Sequence, residues 1–278
     1  WTSVTQTAAA AGGKLRVFDF TFSLTQSYTF WSGLLGGTFL TMASHGTDQT
    51  MVQRLLAARN ERDSKKALLV SGVIIFVQFT LFLVVGVMLF VYMRNGFLAV
   101  PEGDPDRIYP AFIVHGMPVG LVGIVLASIF AIAMSNASGS LNSLASSSMM
   151  DMGVKRSGDS AQPLARSRRM TLLWGVVLGA LGLIRWGPVL VAGLTIASIT
   201  YGALLGVFLL GTWNKRANEN GALVGFVAGL VTMILVERMT PLAWTWYVLV
   251  GTLVTYLVGT VASNFTGRGH DMRASAGD

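Results

Sequence analysis

Apolar residues fill this chain in long unbroken runs, at residues 28–48, 67–93, 117–150, 170–185, 189–213, 222–236 and 242–263. Runs of this length suit a hydrocarbon layer of ~30 Å. They are rich in Leu, Val and Gly and lack the every-second-residue alternation that a barrel strand needs,. The pattern predicts seven transmembrane helices and an all-α polytopic membrane protein.

The third run carries a contradiction. Residues 116–152, GMPVGLVGIVLASIFAIAMSNASGSLNSLASSSMMDM, are apolar enough to cross a bilayer yet threaded with serine. At about 100° per residue, Ser128, Ser135, Ser138, Asn142 and Ser146 fall on one narrow face, and Asn136, Ser140, Ser143 and Ser147 form a second line beside it,. Such seams either pack against neighbouring helices through small residues and weak hydrogen bonds, or line a polar pathway. The residues alone leave both readings open.

Composition agrees with a lipid solvent: 53% of the 278 residues are hydrophobic, only 12% are charged, and mean hydropathy is +0.60,. The basic residues supply orientation, because short cytoplasmic loops are enriched in Lys and Arg. Arg54, Arg59, Arg62, Lys65 and Lys66 follow the first run; Lys155, Arg156, Arg166, Arg168 and Arg169 the third; Lys215 and Arg216 the fifth; Arg268 and Arg273 the last. Every second junction is basic, which puts Trp1 outside and Asp278 in the cytoplasm of a plasma membrane, of bacterial inner-membrane type. The net charge of +7 is then a topological signal and implies no nucleic-acid partner,. With no cysteine, disulfides, thiolate metal sites and thiol chemistry are excluded together,. The chain opens at Trp1, without an initiator Met, on a polar Ala/Gly/Thr-rich stretch. Residues 1–26 read as an extracytoplasmic loop, and the chain as the back part of a longer polypeptide,.

Two motifs, HGTDQTMVQRLLAAR at residues 45–59 and AMSNASGSLNSLASSSMMDM at 133–152, resemble signature segments of the sodium:solute symporter family. A third, GVFLLGTWNKRANENGALVGFVAG at 206–229, is similar to the family's cytoplasmic turn between its tenth and eleventh core-numbered helices. The resemblance implies an inverted-repeat bundle in which two five-helix repeats of opposite topology enclose a mid-membrane site. Residues 27–213 would be the second repeat, core helices 6–10; residues 214–264 accessory transmembrane helices; and residues 265–278 a cytoplasmic tail. It further implies sodium-coupled symport of a small solute. The partners would be the bilayer, the solute and the missing N-terminal repeat of the same protein, without which the chain would not transport.

By the same resemblance the serine-rich helix contributes to a sodium site, with side-chain oxygens from Ser135 and Asn136 and the main-chain carbonyl of Ile132. Ser138 matches the position some members use for a second sodium. Asn136 departs from the family's usual Ser or Thr, though an amide oxygen still accepts a cation. Thr41 and Ser44 match positions lining the substrate cavity or its inner gate in sugar-transporting relatives. Where those relatives carry an aromatic gate, a sugar-contacting Lys and a Gln, this chain has Ser44, Ile75 and Leu194. The departures argue against a hexose and leave carboxylates, amino acids and polyols open.

Other features have competing readings. Asp48 is placed at the cytoplasmic end of the first span, to pair with a basic group, gate an inner vestibule, or simply meet water. Glycines spaced at four, as in Gly33/Gly37, Gly116/Gly120, Gly175/Gly179, Gly202/Gly206 and Gly221/Gly225/Gly229, predict close helix packing,. Gly193, Thr195 and Ser198 mark a hinge or another close contact. Residues 100–117 read as an ordered outer loop with a short amphipathic piece near 108–114, lacking the ligand spacing of a calcium loop,. Ser44, His45 and Asp48 lie close in sequence, but neighbours on one helix rarely form a triad, and no HExxH or GxSxG element occurs,. The chain is therefore read as not an enzyme. A non-transporting membrane sensor or degenerate transporter domain is the alternative class.

Overall fold

In hydrocarbon a continuous apolar run can satisfy its backbone only within itself, which is why these runs become helices. The computed structural model describes residues 2–10, 15–97, 105–151, 161–184 and 187–274. In chain order the helices are α1 (Thr2–Ala10), α2 (Gly37–Gly46), α3 (Gln49–Leu56), α4 (Glu61–Arg94), α5 (Ile108–Gly116), α6 (Val119–Asp151), α7 (Ala161–Gly182), α8 (Val189–Trp213), α9 (Glu219–Met239) and α10 (Tyr247–Ala274). A π-helical turn at Ser32–Gly36 runs directly into α2. No strand occurs among the described residues.

Five of these, α4, α6, α8, α9 and α10, are long and apolar enough to cross a membrane, against the seven spans expected. The run at 28–48 is divided between the π-helical turn and α2. That at 170–185 lies in α7 behind Arg166, Arg168 and Arg169, and the helix stops at Gly182, leaving an apolar portion of only about 20 Å,. Two further differences concern the ends. The stretch read as loop contains α1, where consecutive alanines favour helix and Ala8 is fully buried,. At the other end α10 continues beyond the expected boundary at residue 263. Lys14, Pro101, Glu102, Asp104, Lys155, Arg156 and Arg185 lie outside the described residues.

Helix ends follow local rules. Asn60 Oδ1 accepts the Asp63 N–H at 2.8 Å, with Glu61 and Asp63 in the first turn of α4 where carboxylates favour the macrodipole,. Asn218 Oδ1 likewise accepts the Gly221 N–H at 2.8 Å to start α9.

The chain divides into two compact units, Trp1–Ala10 with Gln78–Pro188, and Ala11–Val77 with Val189–Asp278. In the second, α8, α9 and α10 form a sheaf. A Cβ on Gly202 would lie 3.1 Å from the Gly251 Cα, and one on Gly225 would lie 2.8 Å from the Gly259 Cα. Gly202 opposes Gly251 and Gly206 opposes Thr255, so α8 and α10 run parallel. Gly221 opposes Ser263 while Gly229 opposes Thr255, so α9 runs the other way. Here the four-residue spacing does the expected work, whereas Gly33, Gly37, Gly120, Gly175 and Gly179 meet nothing within 4 Å. Against this sheaf α2 buries Ala43 beside Leu205, Leu209 and Val248. An extended strap before the π-helical turn is tied down by main-chain bonds from Phe30 N to Asp19 O at 2.7 Å and Ala243 N to Leu24 O at 2.8 Å. Trp246 Nε1 adds a bond to Ser23 O at 3.3 Å.

In the first unit α6 and α7 are joined by Trp174 Nε1 donating to Ser148 Oγ at 2.9 Å. The expected amphipathic piece of the outer loop is α5, which buries Ile113 and sets Phe112 edge-on to Tyr92 of α4 at 5.5 Å.

Candidate functional site

On α6 the bond from Trp174 marks the side that meets α7. Ser148, the partner of Trp174, points roughly opposite to Ser128, Ser135 and Ser146 by helical geometry,. Ile132, Ser135, Asn136 and Ser138 are all exposed, as is every residue of α6 from 126 to 140. Within the seams the hydroxyls differ. Ser128 donates to Ile124 O at 2.8 Å and Ser146 to Ser143 O at 3.0 Å, so both are folded back on their own helix. Among the described residues the side chains of Ser135, Asn136 and Ser138 make no hydrogen bond. Their oxygens, with the second lone pair of the Ile132 carbonyl, are free to accept a hard cation. No cluster of His, Cys, Asp or Glu suited to a metal occurs among the described residues, so a cation at α6 would rest on hydroxyl, amide and carbonyl oxygens.

The second feature is a break between α2 and α3. The helix stops at Gly46, Thr47 leaves helical geometry at φ −122° and ψ −16°, and α3 starts at Gln49. Asp48 sits in that break, at the end of the apolar run 28–48. Its Oδ1 accepts the Met51 N–H at 3.2 Å as the cap of α3, and its Oδ2 accepts the Tyr201 hydroxyl of α8 at 3.0 Å. The signal was present in the sequence: glycine ends helices and aspartate begins them, and Gly-Thr-Asp does both in three residues. The side chains of Gln49, Gln53 and Arg54 lie outside the described residues.

Thr41 and Ile75 line one cavity of about 880 Å³, together with His45, Ser71 and Phe208. Ser44 stands beside it. Its Oγ contacts His45 Nδ1 at 2.9 Å and donates to Thr41 O at 3.2 Å. Leu194 is half-buried on α8 and is not part of that lining, so the residues matched to substrate positions are only partly brought together. A smaller cavity of about 580 Å³ meets the break from Gly46, Thr47, Val52 and Glu219. His45 Nδ1 also contacts Thr41 O at 3.1 Å, while Asp48 bonds Tyr201 and its own helix cap; the three residues do not form an acid–base–nucleophile series. The proposed hinge region is an uninterrupted part of α8. Gly193 has open space around it, whereas the Ser198 Oγ is buried without a partner.

Five helices long and apolar enough to cross a membrane, one of them carrying exposed serine seams, define a polytopic membrane protein,. The chain belongs to the sodium:solute symporter family, whose model matches residues 7–229. It is 31% identical over 237 residues to the sodium/sialic acid symporter NanT of Aliivibrio fischeri, covering 81% of this chain and 46% of that protein. It is 30% identical over 235 residues to the human sodium/iodide cotransporter, covering 81% and 36% respectively. Its fold matches a substrate-bound, outward-open Na+-coupled sialic acid symporter with a TM-score of 0.74 at 26% identity, over 95% of this chain and 55% of that one. The chain thus spans about half the length of these relatives or less.

Proposed function

We propose that this chain is part of a sodium-coupled secondary transporter that carries a small solute across the plasma membrane by symport. The observation that carries the reading is the free seam of α6. Ser135, Asn136 and Ser138 hold side-chain oxygens that neither α6 nor α7 satisfies, on a helix otherwise built for hydrocarbon. Unpaired polar groups at membrane depth are costly unless they meet a cation, water or another helix. Family membership makes sodium the cation. Ser135, Asn136 and the Ile132 carbonyl form one side of the ion site, Ser138 is placed for a second sodium, and helices other than those described complete the coordination.

Thr41 and Ser44 sit just before the break and Leu194 lies on α8, where they border the route the solute takes. Sodium binding at α6 would favour the outward-open form, and its loss would accompany inward release. The terminus before α2 faces outward and that after α10 faces the cytoplasm, as the basic junctions require. Replacement of Ser135 by Ala in the intact protein, reconstituted into liposomes, is expected to weaken sodium dependence about tenfold or more while leaving folded yield near the parent's. Equal sodium affinity in variant and parent would remove Ser135 from the site.

A further inference from the structure

The first turns of α4 carry charge that the helix itself does not use. Arg62 and Lys66 stand four residues apart, so they share a face, and like charges at that spacing repel,. They also sit at the positive end of the helix dipole, where cations are disfavoured. The nearby carboxylates are occupied elsewhere. Glu61 holds Lys65 at 2.6 Å, and Asp63 accepts from Asn60 Nδ2 at 3.0 Å. Arg62 and Lys66 are both exposed and have no partner among the described residues. The stability of α4 gives no reason for the pair.

The place of the pair relative to lipid supplies one. α4 is long and apolar enough to cross a membrane, and its apolar run begins at residue 67. The helical rise then sets Lys66 about 1.5 Å and Arg62 about 7.5 Å beyond the hydrocarbon, within a headgroup layer of about 5–8 Å. Leu68, Ser71, Gly72 and Ile75 line the cavity shared with α2 and α8. Arg62 and Lys66 lie on a face turned about 140° from that lining. On the same face follow Leu69 and Val73, which are 74% and 65% exposed. Two uncommitted cations thus cap an apolar stripe that points away from the cavity.

We propose that Arg62 and Lys66 bind the headgroup of an anionic phospholipid whose acyl chain lies along Leu69 and Val73. A guanidinium and an ammonium one turn apart offer a phosphate both a fork of donors and a point charge. Basic residues immediately beside a membrane span attract anionic lipid, and the stripe below them holds a chain that a soluble phosphate lacks. The site concerns the membrane around the protein and is independent of the solute and of sodium.

The test uses the intact protein purified in detergent, titrated with phosphatidylglycerol or phosphatidylcholine of identical acyl chains, with bound lipid counted by native mass spectrometry. The parent is expected to retain phosphatidylglycerol saturably and about twentyfold more tightly than phosphatidylcholine, at about fivefold for each cation. Combining Arg62→Gln with Lys66→Gln should bring the ratio below about threefold. If that protein does not fold, the single variants replace it, each expected to lower the ratio about fivefold. Lys215→Gln with Arg216→Gln removes the same charge from the turn between α8 and α9 and should keep the parent's ratio. Equal retention of the two lipids by the parent overturns the site, as does undiminished selection when Arg62 and Lys66 are replaced. An equal loss in the Lys215 and Arg216 variant also overturns it, since general surface charge would then be the cause. Displacement of the lipid by inorganic phosphate at constant ionic strength would mark a soluble-anion site and overturn the lipid assignment.

Discussion

Individual polar atoms divide this protein into committed and uncommitted sites. Tyr201 and Asp48 are committed: the 3.0 Å bond links α8 to the helix break, and Tyr201→Phe should lower stability by about 1 kcal/mol, read as a lower thermal midpoint in detergent,. Ser198 is the converse, a buried hydroxyl with no partner. Burying an unpaired hydroxyl carries a desolvation penalty, so Ser198→Ala should leave the midpoint unchanged or raise it. Outside the membrane, hydrogen bonds from the Thr21 side chain and backbone, aided by the Arg16 guanidinium, hold the Asp19 carboxyl below its ordinary range. A depressed folded-state value means that this contribution is present above the ordinary carboxylate range and lost as pH falls through the depressed value. The local turn around Asp19, which holds Phe20 under Trp31, should therefore persist at pH 5 and loosen in stronger acid, seen as a change in tryptophan fluorescence that Asp19→Asn abolishes.

At the scale of elements, two glycine stripes that look alike in sequence behave differently. On α9, Gly225 meets the Thr255 carbonyl and Gly259 backbone so closely that Gly225→Ala must push helices apart, at a cost of about 1–3 kcal/mol,. On α7, Gly175 has open space, and Gly175→Ala should stabilise the helix by about 0.5–1 kcal/mol within this chain,. Comparing the thermal midpoints of the two variants checks both. If Gly175→Ala is also damaging in the intact protein, then the α7 stripe receives a helix that the described residues do not supply. In the α2/α3 pair the apolar run ends at Asp48, where Gly46 stops α2 and Asp48 starts α3, a stop signal and a start signal two residues apart,.

For the whole molecule, orientation is open to direct test because the chain contains no cysteine. Gln26→Cys on the strap should react with a membrane-impermeant maleimide in intact cells, and Arg62→Cys at the start of α4 only after lysis; the reverse pattern would invert the topology. Much of the architecture was legible beforehand. Membrane helices and the α8–α9–α10 glycine contacts follow from local rules, since hydrocarbon demands internally bonded helices and small residues at intervals of four permit close approach, and the family follows from the resemblance of its motifs,. The same rules could not say that Ser148 of α6 would receive Trp174 of α7, since that depends on where the second helix docks. Nor could they pair Asp48 with Tyr201 across 153 positions. What the sequence determined by itself was the solvent, the helices and the kind of chemistry each residue offers, all of which depend on near neighbours along the chain. Only the tertiary structure decided which oxygens are satisfied and which remain available, because that depends on which helix comes to lie beside them.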